Sequence, residues 1–163
     1  MTPSPAVTVR PMVASDWDWI QQWFQDPVLN DELGPVDTDW RDHVLADRGG
    51  IELVAVPADA PVALIGCVWD PAGAEHGVTD VAIHPARRGE GWGRSALAAA
   101  LRWPGHPAAR QWVAYVDPDN AAAFGFFSAL GWRFEGRDDL MERFTLPSPN
   151  GTEPAFWEGF ALR

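Results

Sequence analysis

Residues 82–94 read Ala-Ile-His-Pro-Ala-Arg-Arg-Gly-Glu-Gly-Trp-Gly-Arg. The alternating apolar run that enters this stretch, Val78 to Ile83, stops at Pro85. Three glycines then stand at every second position, Gly89, Gly91 and Gly93, flanked by Arg87, Arg88 and Arg94. An alanine- and leucine-rich segment follows, Ser95 to Trp103, and Pro104-Gly105 closes it. The order predicts a strand, a glycine turn and a helix. Residues without side chains let a ligand approach the backbone, while the first N–H groups of the helix and its dipole favour an anion. The predicted ligand carries a phosphate or pyrophosphate.

The loop is not a P-loop, because the spacing to a Lys-Ser/Thr pair is wrong and the chain contains no lysine. It fits the dinucleotide fingerprint poorly, since Arg94 stands where the third glycine would fall. Further along, Val113 to Trp132 begins as an apolar strand and turns at Asp117-Pro118. Asp119 can cap a helix running to Leu130, with Asn120 as a second cap candidate, and Gly131 ends it.

These two elements together resemble the GNAT superfamily of N-acetyltransferases. Arg88-x-x-Gly91-x-Gly93 is similar to its acetyl-coenzyme A pyrophosphate loop. Asn120, Ala123, Gly131 and Trp132 fall on its second motif, with Phe127 at the position of that motif's tyrosine. The resemblance spans Val7 to about Leu146, and its specific motifs lie between Val78 and Trp132. It implies one α/β (α+β) domain over residues 1–163, with a mixed sheet splayed between the fourth and fifth strands and about four flanking helices.

The pattern along the chain agrees with that order. Strands are predicted at Val7–Met12, Ile51–Val56, Val62–Trp69, Val78–Ile83, Trp112–Val116, Arg133–Glu135 and Leu140–Leu146, with Gly136 opening the last turn. A helix capped by Ser15-Asp16 carries Trp17, Ile20, Trp23 and Phe24 at helical spacing. A second covers Thr38 to Arg48. The tail, residues 147–163, holds a turn at Pro149-Asn150-Gly151 and an apolar piece, Ala155 to Leu162, suited to a further strand or to a partner contact such as a homodimer.

The resemblance also implies site residues. Acetyl-CoA would be the co-substrate, with pantetheine on the backbone of Val81, Ala82 and Ile83. The pyrophosphate would lie on Arg88, Gly89, Glu90, Gly91, Trp92, Gly93, Arg94 and Ser95, and Asn120 would hold the pantetheine or its thioester end. The implied reaction is acetyl transfer to a primary amine. An alkylammonium with a pKa near 10 must lose a proton before it attacks. The family's base tends to come from the start of the central strand, which names Glu75 and His76, in the polar stretch Gly73–Gly77, and then Asp80. Phe127 cannot donate a proton to the departing thiolate as a tyrosine would, although it can pack against the acetyl group or pantetheine. Three accounts follow: the thiolate leaves unassisted, Tyr115 (the chain's one tyrosine) substitutes, or the domain binds CoA as a sensing or partner-binding module without turnover.

Composition bounds the rest. The net charge of −11 argues against nucleic acid and suits a cationic small-molecule or peptide amine. Trp17, Trp19, Trp23 and Trp40 crowd the first two helices beside Asp31 and Glu32, where aromatic faces can hold an ammonium. Trp19, off the helical stripe, is the better pocket candidate. The opening is loosely similar to the aminoglycoside and ribosomal N-terminal branches. Four scattered histidines and a single cysteine, Cys67, give no metal-site spacing, so no metal is expected. The lone cysteine and the lack of a signal-like or spanning segment fit a cytoplasmic protein away from membranes.

Overall fold

The computed structural model describes residues 6–149. The apolar tail piece Ala155–Leu162 and most of the predicted Pro149-Asn150-Gly151 turn lie outside them. Seven strands form one mixed sheet in the order β1-β2-β3-β4-β5-β7-β6: β1 Thr8–Pro11, β2 Gly50–Val56, β3 Ala63–Val68, β4 Glu75–Ile83, β5 Gln111–Val116, β6 Arg133–Asp138 and β7 Met141–Pro147. Five helices accompany it: α1 Trp17–Trp23, α2 Pro27–Leu33, α3 Thr38–Ala46, α4 Trp92–Leu101 and α5 Ala121–Ala129. The predicted sheet is present, but with one helix more than the four expected. The seven residues of α2 are too few to show a periodic stripe. Their start is nonetheless marked, because Asp26 accepts from Leu29 N–H at 3.0 Å and Pro27 opens the first turn.

By compactness the chain divides into two units, Met1–Cys67 with Asp80–Trp103, and Val68–Thr79 with Pro104–Arg163. In the first, β1 and β2 run antiparallel with Val9 opposite Ala55. Successive residues of β2 (Leu53, Val54, Ala55) are all buried, so both of its faces are covered. One core cluster joins Val54, Leu64 and Ala82 of the strands to Met12, Trp17, Ile20, Trp23, Phe24 and Leu29. The stripe predicted for the first helix is therefore core. Trp19 is half-buried and lies 4.5 Å from Trp23, ring to ring.

Asp16 ties the start of this unit together. It does not cap α1; its side chain makes a two-pronged pair with Arg10 at 2.8 and 2.8 Å and accepts from Val13 N–H and the Trp19 indole. Burial opposes its charge, but the Arg10 hydrogen bond, the two other donors and the Arg10 charge outweigh burial and hold the carboxyl below the usual range.

In the second unit, β4 and β5 run parallel and pair Glu75–Val78 with Gln111–Ala114. The described ladder ends at Val78↔Ala114, five residues before β4 does. Its core is aromatic: Phe127 lies against Phe126, Trp132 and Phe144, and Phe124 against Phe134 and Phe144. Two predicted boundaries are corrected here. Gly136, at φ 91, sits in an irregularity of β6 between Phe134 and Arg137, so the strand continues to Asp138 and turns beyond it. β4 begins at Glu75, so Glu75 and His76 belong to the strand and not to a preceding loop.

Asp16→Ala is expected to lower unfolding stability by about 1–3 kcal/mol in urea denaturation, the usual cost of removing a partner from charged hydrogen bonds. The folded carboxyl is depressed, so its contribution is complete above the unfolded pKa and lost as pH falls through the folded one. The variant should therefore show a flatter acid decline than wild type.

Candidate active site

The glycine turn is built as the sequence suggests, with one shift. Gly89 (φ 78) and Gly91 (φ 86) adopt the left-handed conformation, and Gly91 is the N-cap of α4. The helix starts at Trp92, three residues earlier than expected, so Gly93, Arg94 and Ser95 form its first turn. A side chain at Gly89 would meet nothing within 4 Å. Its glycine is required by backbone conformation, and it leaves the approach to the loop open. Ser95 is buried, yet its Oγ has no partner among the described residues.

Charged side chains line this turn. Arg88 donates to Asp26 Oδ2 at 2.7 Å, reaching the N-cap of α2. Glu90 accepts from Arg87 Nε at 2.9 Å and from the Trp92 indole at 3.1 Å, and Arg87 lies over the Trp92 ring. The Arg87 hydrogen bond first, then that of Trp92, holds Glu90 below the usual carboxylate range. Glu90 is thus an acceptor for its neighbours, leaving the anion-facing part of the predicted set to the backbone, Arg88, Arg94 and Ser95. A helix start, two left-handed glycines, an orphaned buried hydroxyl and nearby arginines fit a phosphoryl group. Val81, Ala82 and Ile83 lead into this turn along β4, Ala82 fully buried and the other two half-buried.

In the second unit Asn120, not Asp119, caps α5: its Oδ1 accepts from Ala123 N–H at 3.0 Å, while Asp119 lies in a turn held by Asp117. That bond uses the amide oxygen and leaves the amide N–H donors outside it. Phe127 is buried in the aromatic core. Tyr115 is 46% exposed, its hydroxyl 3.5 Å from Asp138 Oδ2.

The two base candidates nearest the strand's start are engaged by the fold. Glu75 accepts from Gln111 Nε2 at 2.7 Å and pairs with the Arg143 guanidinium. His76 is buried; its Nδ1 accepts from Asp70 N–H at 3.0 Å and its Nε2 donates to the Pro107 carbonyl at 2.9 Å. Both ring nitrogens are used, which fixes the tautomer and leaves no lone pair for a substrate proton.

Asp80 has different company. It lies close enough for its charge to act on Glu52 of β2, a buried carboxyl that sequence reading passed over. Burial, followed by the charge of Asp80, pushes Glu52 well above the usual carboxylate range. The signal available in sequence was a lone glutamate inside an otherwise apolar run, Ile51-Glu52-Leu53-Val54. Among the described residues no group of His, Cys, Asp or Glu has the arrangement of a metal site.

Residues 15–132 match the acetyltransferase (GNAT) family, and the chain belongs to that family. An uncharacterized N-acetyltransferase of Bacillus subtilis, YfmK, is 24% identical over 77% of this chain and 84% of its own. Among solved structures, an acetyltransferase from Thermus thermophilus is 21% identical, with a TM-score of 0.72 over 87% of this chain and 97% of its own. The spermidine N-acetyltransferase of Vibrio cholerae, solved with CoA and spermine, is 15% identical, with a TM-score of 0.71 over 87% and 95% of the two chains.

Gly91→Ala is expected to cost about 1–2 kcal/mol, because a Cβ is strained in the left-handed region, with Gly91→Asn costing less. Thermal denaturation of the two variants checks this.

Proposed function

We propose that this chain moves an acetyl group from acetyl-CoA to a primary amine by direct attack. The observation that carries the reading is the left-handed Gly89/Gly91 turn opening α4 beside the orphaned Ser95 hydroxyl, in a chain of the GNAT family. In this reading the backbone from Gly89 to Ser95, with Arg88 and Arg94, binds the pyrophosphate. Arg88 exchanges Asp26 for a phosphoryl oxygen, and the backbone of Val81 to Ile83 holds pantetheine. Asn120 binds the pantetheine end through its amide, while Phe127 packs beneath it.

Asp80 is our base. His76 has both ring nitrogens engaged and Glu75 Oε2 is held by Gln111 and Arg143, while Asp80 stands further along β4, two residues before Ala82. An acceptor ammonium gives its proton to the Asp80 carboxylate. The freed nitrogen attacks the thioester carbonyl, the C–S bond breaks, and the thiolate leaves and takes up the second proton that the acylated nitrogen sheds; a thiol of pKa near 8.5 needs no obligatory acid. The acceptor class is a small cationic amine or a peptide N-terminus, drawn by the acidic surface. The spermidine enzyme of V. cholerae illustrates the first. The whole chain is read as one such domain acting in the cytoplasm without nucleic acid, membrane or metal.

Phe127 at the tyrosine position favours one other reading, a CoA-sensing domain without turnover. Thermal shift with acetyl-CoA, CoA, ATP and NAD, followed by an amine panel of spermidine, an aminoglycoside and N-terminal peptides, separates the readings. At a hundredfold excess over the dissociation constant the CoA compounds should add about 2.7 kcal/mol, or some 5–10 °C. Shift without turnover on any amine leaves the sensing reading; no shift with CoA compounds sinks both. For a cationic acceptor the apparent KM should rise with salt. Tyr115→Phe should leave kcat unchanged, and a large loss would make Tyr115 the acid.

A further inference from the structure

The two arginines that lead into the glycine turn each hold a carboxylate. Arg87 donates from Nε to Glu90 at 2.9 Å, a partner three residues on and part of the same turn. Arg88 donates from Nη2 to Asp26 Oδ2 at 2.7 Å, a partner 62 residues away in the chain. Asp26 is no member of the turn. It is the N-cap of α2, and the same Oδ2 accepts from Leu29 N–H at 3.0 Å. Leu29 in turn is buried in the core cluster with Trp17, Ile20 and Trp23. One carboxylate oxygen therefore fastens α2 to the turn read above as the pyrophosphate loop.

The two bonds of that oxygen are separable. Leu29 N–H stays within reach of Asp26 whether or not Arg88 remains, so parting the ion pair leaves α2 capped. The ion pair, in contrast, stands against an incoming anion. The Arg88 hydrogen bond, followed by the Leu29 N–H, holds the Asp26 carboxyl below the usual range, so it is charged at neutral pH. A guanidinium already answered by a carboxylate attracts a second anion less, and that carboxylate repels phosphoryl oxygens brought to the same group. The side chains of Arg88 and Asp26 are 42% and 23% exposed, so solvent screens this opposition and a ligand can overcome it.

We propose that Asp26 is a built-in competitor for the pyrophosphate: it holds Arg88 until a ligand carrying that group takes its place, and it lowers the affinity of every such ligand. This rests on the reading of Arg88 as a pyrophosphate contact. Acetyl-CoA and CoA share the pyrophosphate, so both are weakened by the same factor, and the CoA formed in each turnover leaves more readily. The exclusion is mutual: a ligand that takes Arg88 releases the start of α2 from the turn, and whatever holds α2 to the turn opposes the ligand. Asp26 touches no reacting atom.

The test is the dissociation constant of acetyl-CoA and of CoA, by calorimetry, for wild type, Asp26→Asn, Asp26→Ser, Arg88→Gln and the Asp26→Asn/Arg88→Gln double variant. Asn and Ser cap helices as Asp does, so both single variants keep the acceptor for Leu29 N–H and remove the charge. Both should melt close to wild type without ligand. Both should bind acetyl-CoA and CoA roughly two- to fivefold more tightly, by the same factor for the two ligands. Arg88→Gln should weaken both ligands roughly tenfold. In that background Asp26→Asn should change neither. Damage to α2 would weaken binding, so a gain of affinity that needs Arg88 is a sign no purely structural role gives.

Equal or weaker binding by Asp26→Asn and Asp26→Ser overturns the competitor, and so does a gain that persists with Arg88→Gln. In either case a loss of affinity in Arg88→Gln alone leaves the pyrophosphate reading standing. Unchanged affinity in Arg88→Gln, or no binding of either CoA compound by wild type, overturns that reading and the competitor with it.

Discussion

The constraint on which the candidate site depends is the short ladder of β4. Its first four residues are paired in parallel with β5, and the described pairing stops at Val78↔Ala114 while the strand runs on to Ile83. The paired half is chemically occupied: Glu75 is held by Gln111 and Arg143, and His76 by Asp70 and Pro107. The half beyond it carries Asp80 and the backbone of Val81 to Ile83, and hands the chain to the glycine turn. One strand thus begins among side chains held by the second unit and ends at the lead into the glycine turn.

The acidic groups illustrate how environment, not residue type, assigns roles. Asp16 is buried but surrounded by donors, and is held ionised. Glu52 is buried beside another carboxyl and is pushed toward its acid form. Glu90 is exposed and simply tethers Arg87 and Trp92. Burial penalises charge in every case; what differs is whether cations and N–H groups, or another anion, answer it.

Aromatic residues do two kinds of work in the same chain. Trp17 and Trp23 fill the core of the first unit, and Phe127 with Phe126, Trp132 and Phe144 fills that of the second. Phe127 is therefore explained by packing whether or not it meets a substrate. Trp19 is held half-exposed by its bond to Asp16, which fixes one indole edge and leaves its body beside Trp23.

The sequence by itself determined what depends on local chemistry. Alternation and glycine spacing marked β4, the turn and α4, and the two motifs marked the family to which the chain belongs. It misplaced features whose signals are weak or shared. The seven-residue α2 shows no period, Gly136 reads equally as turn or bulge, and Asp119 and Asn120 compete for one cap that Asn120 takes. The tertiary structure alone decided which carboxyls and imidazoles are engaged. The partners of Glu75 and His76 lie 36 and 31 residues away along the chain (Gln111 and Pro107), and the charge of Asp80 acts on Glu52 of another strand. Spacing rules reach one turn of helix or one strand neighbour, whereas proton affinity is set by whatever the sheet brings alongside.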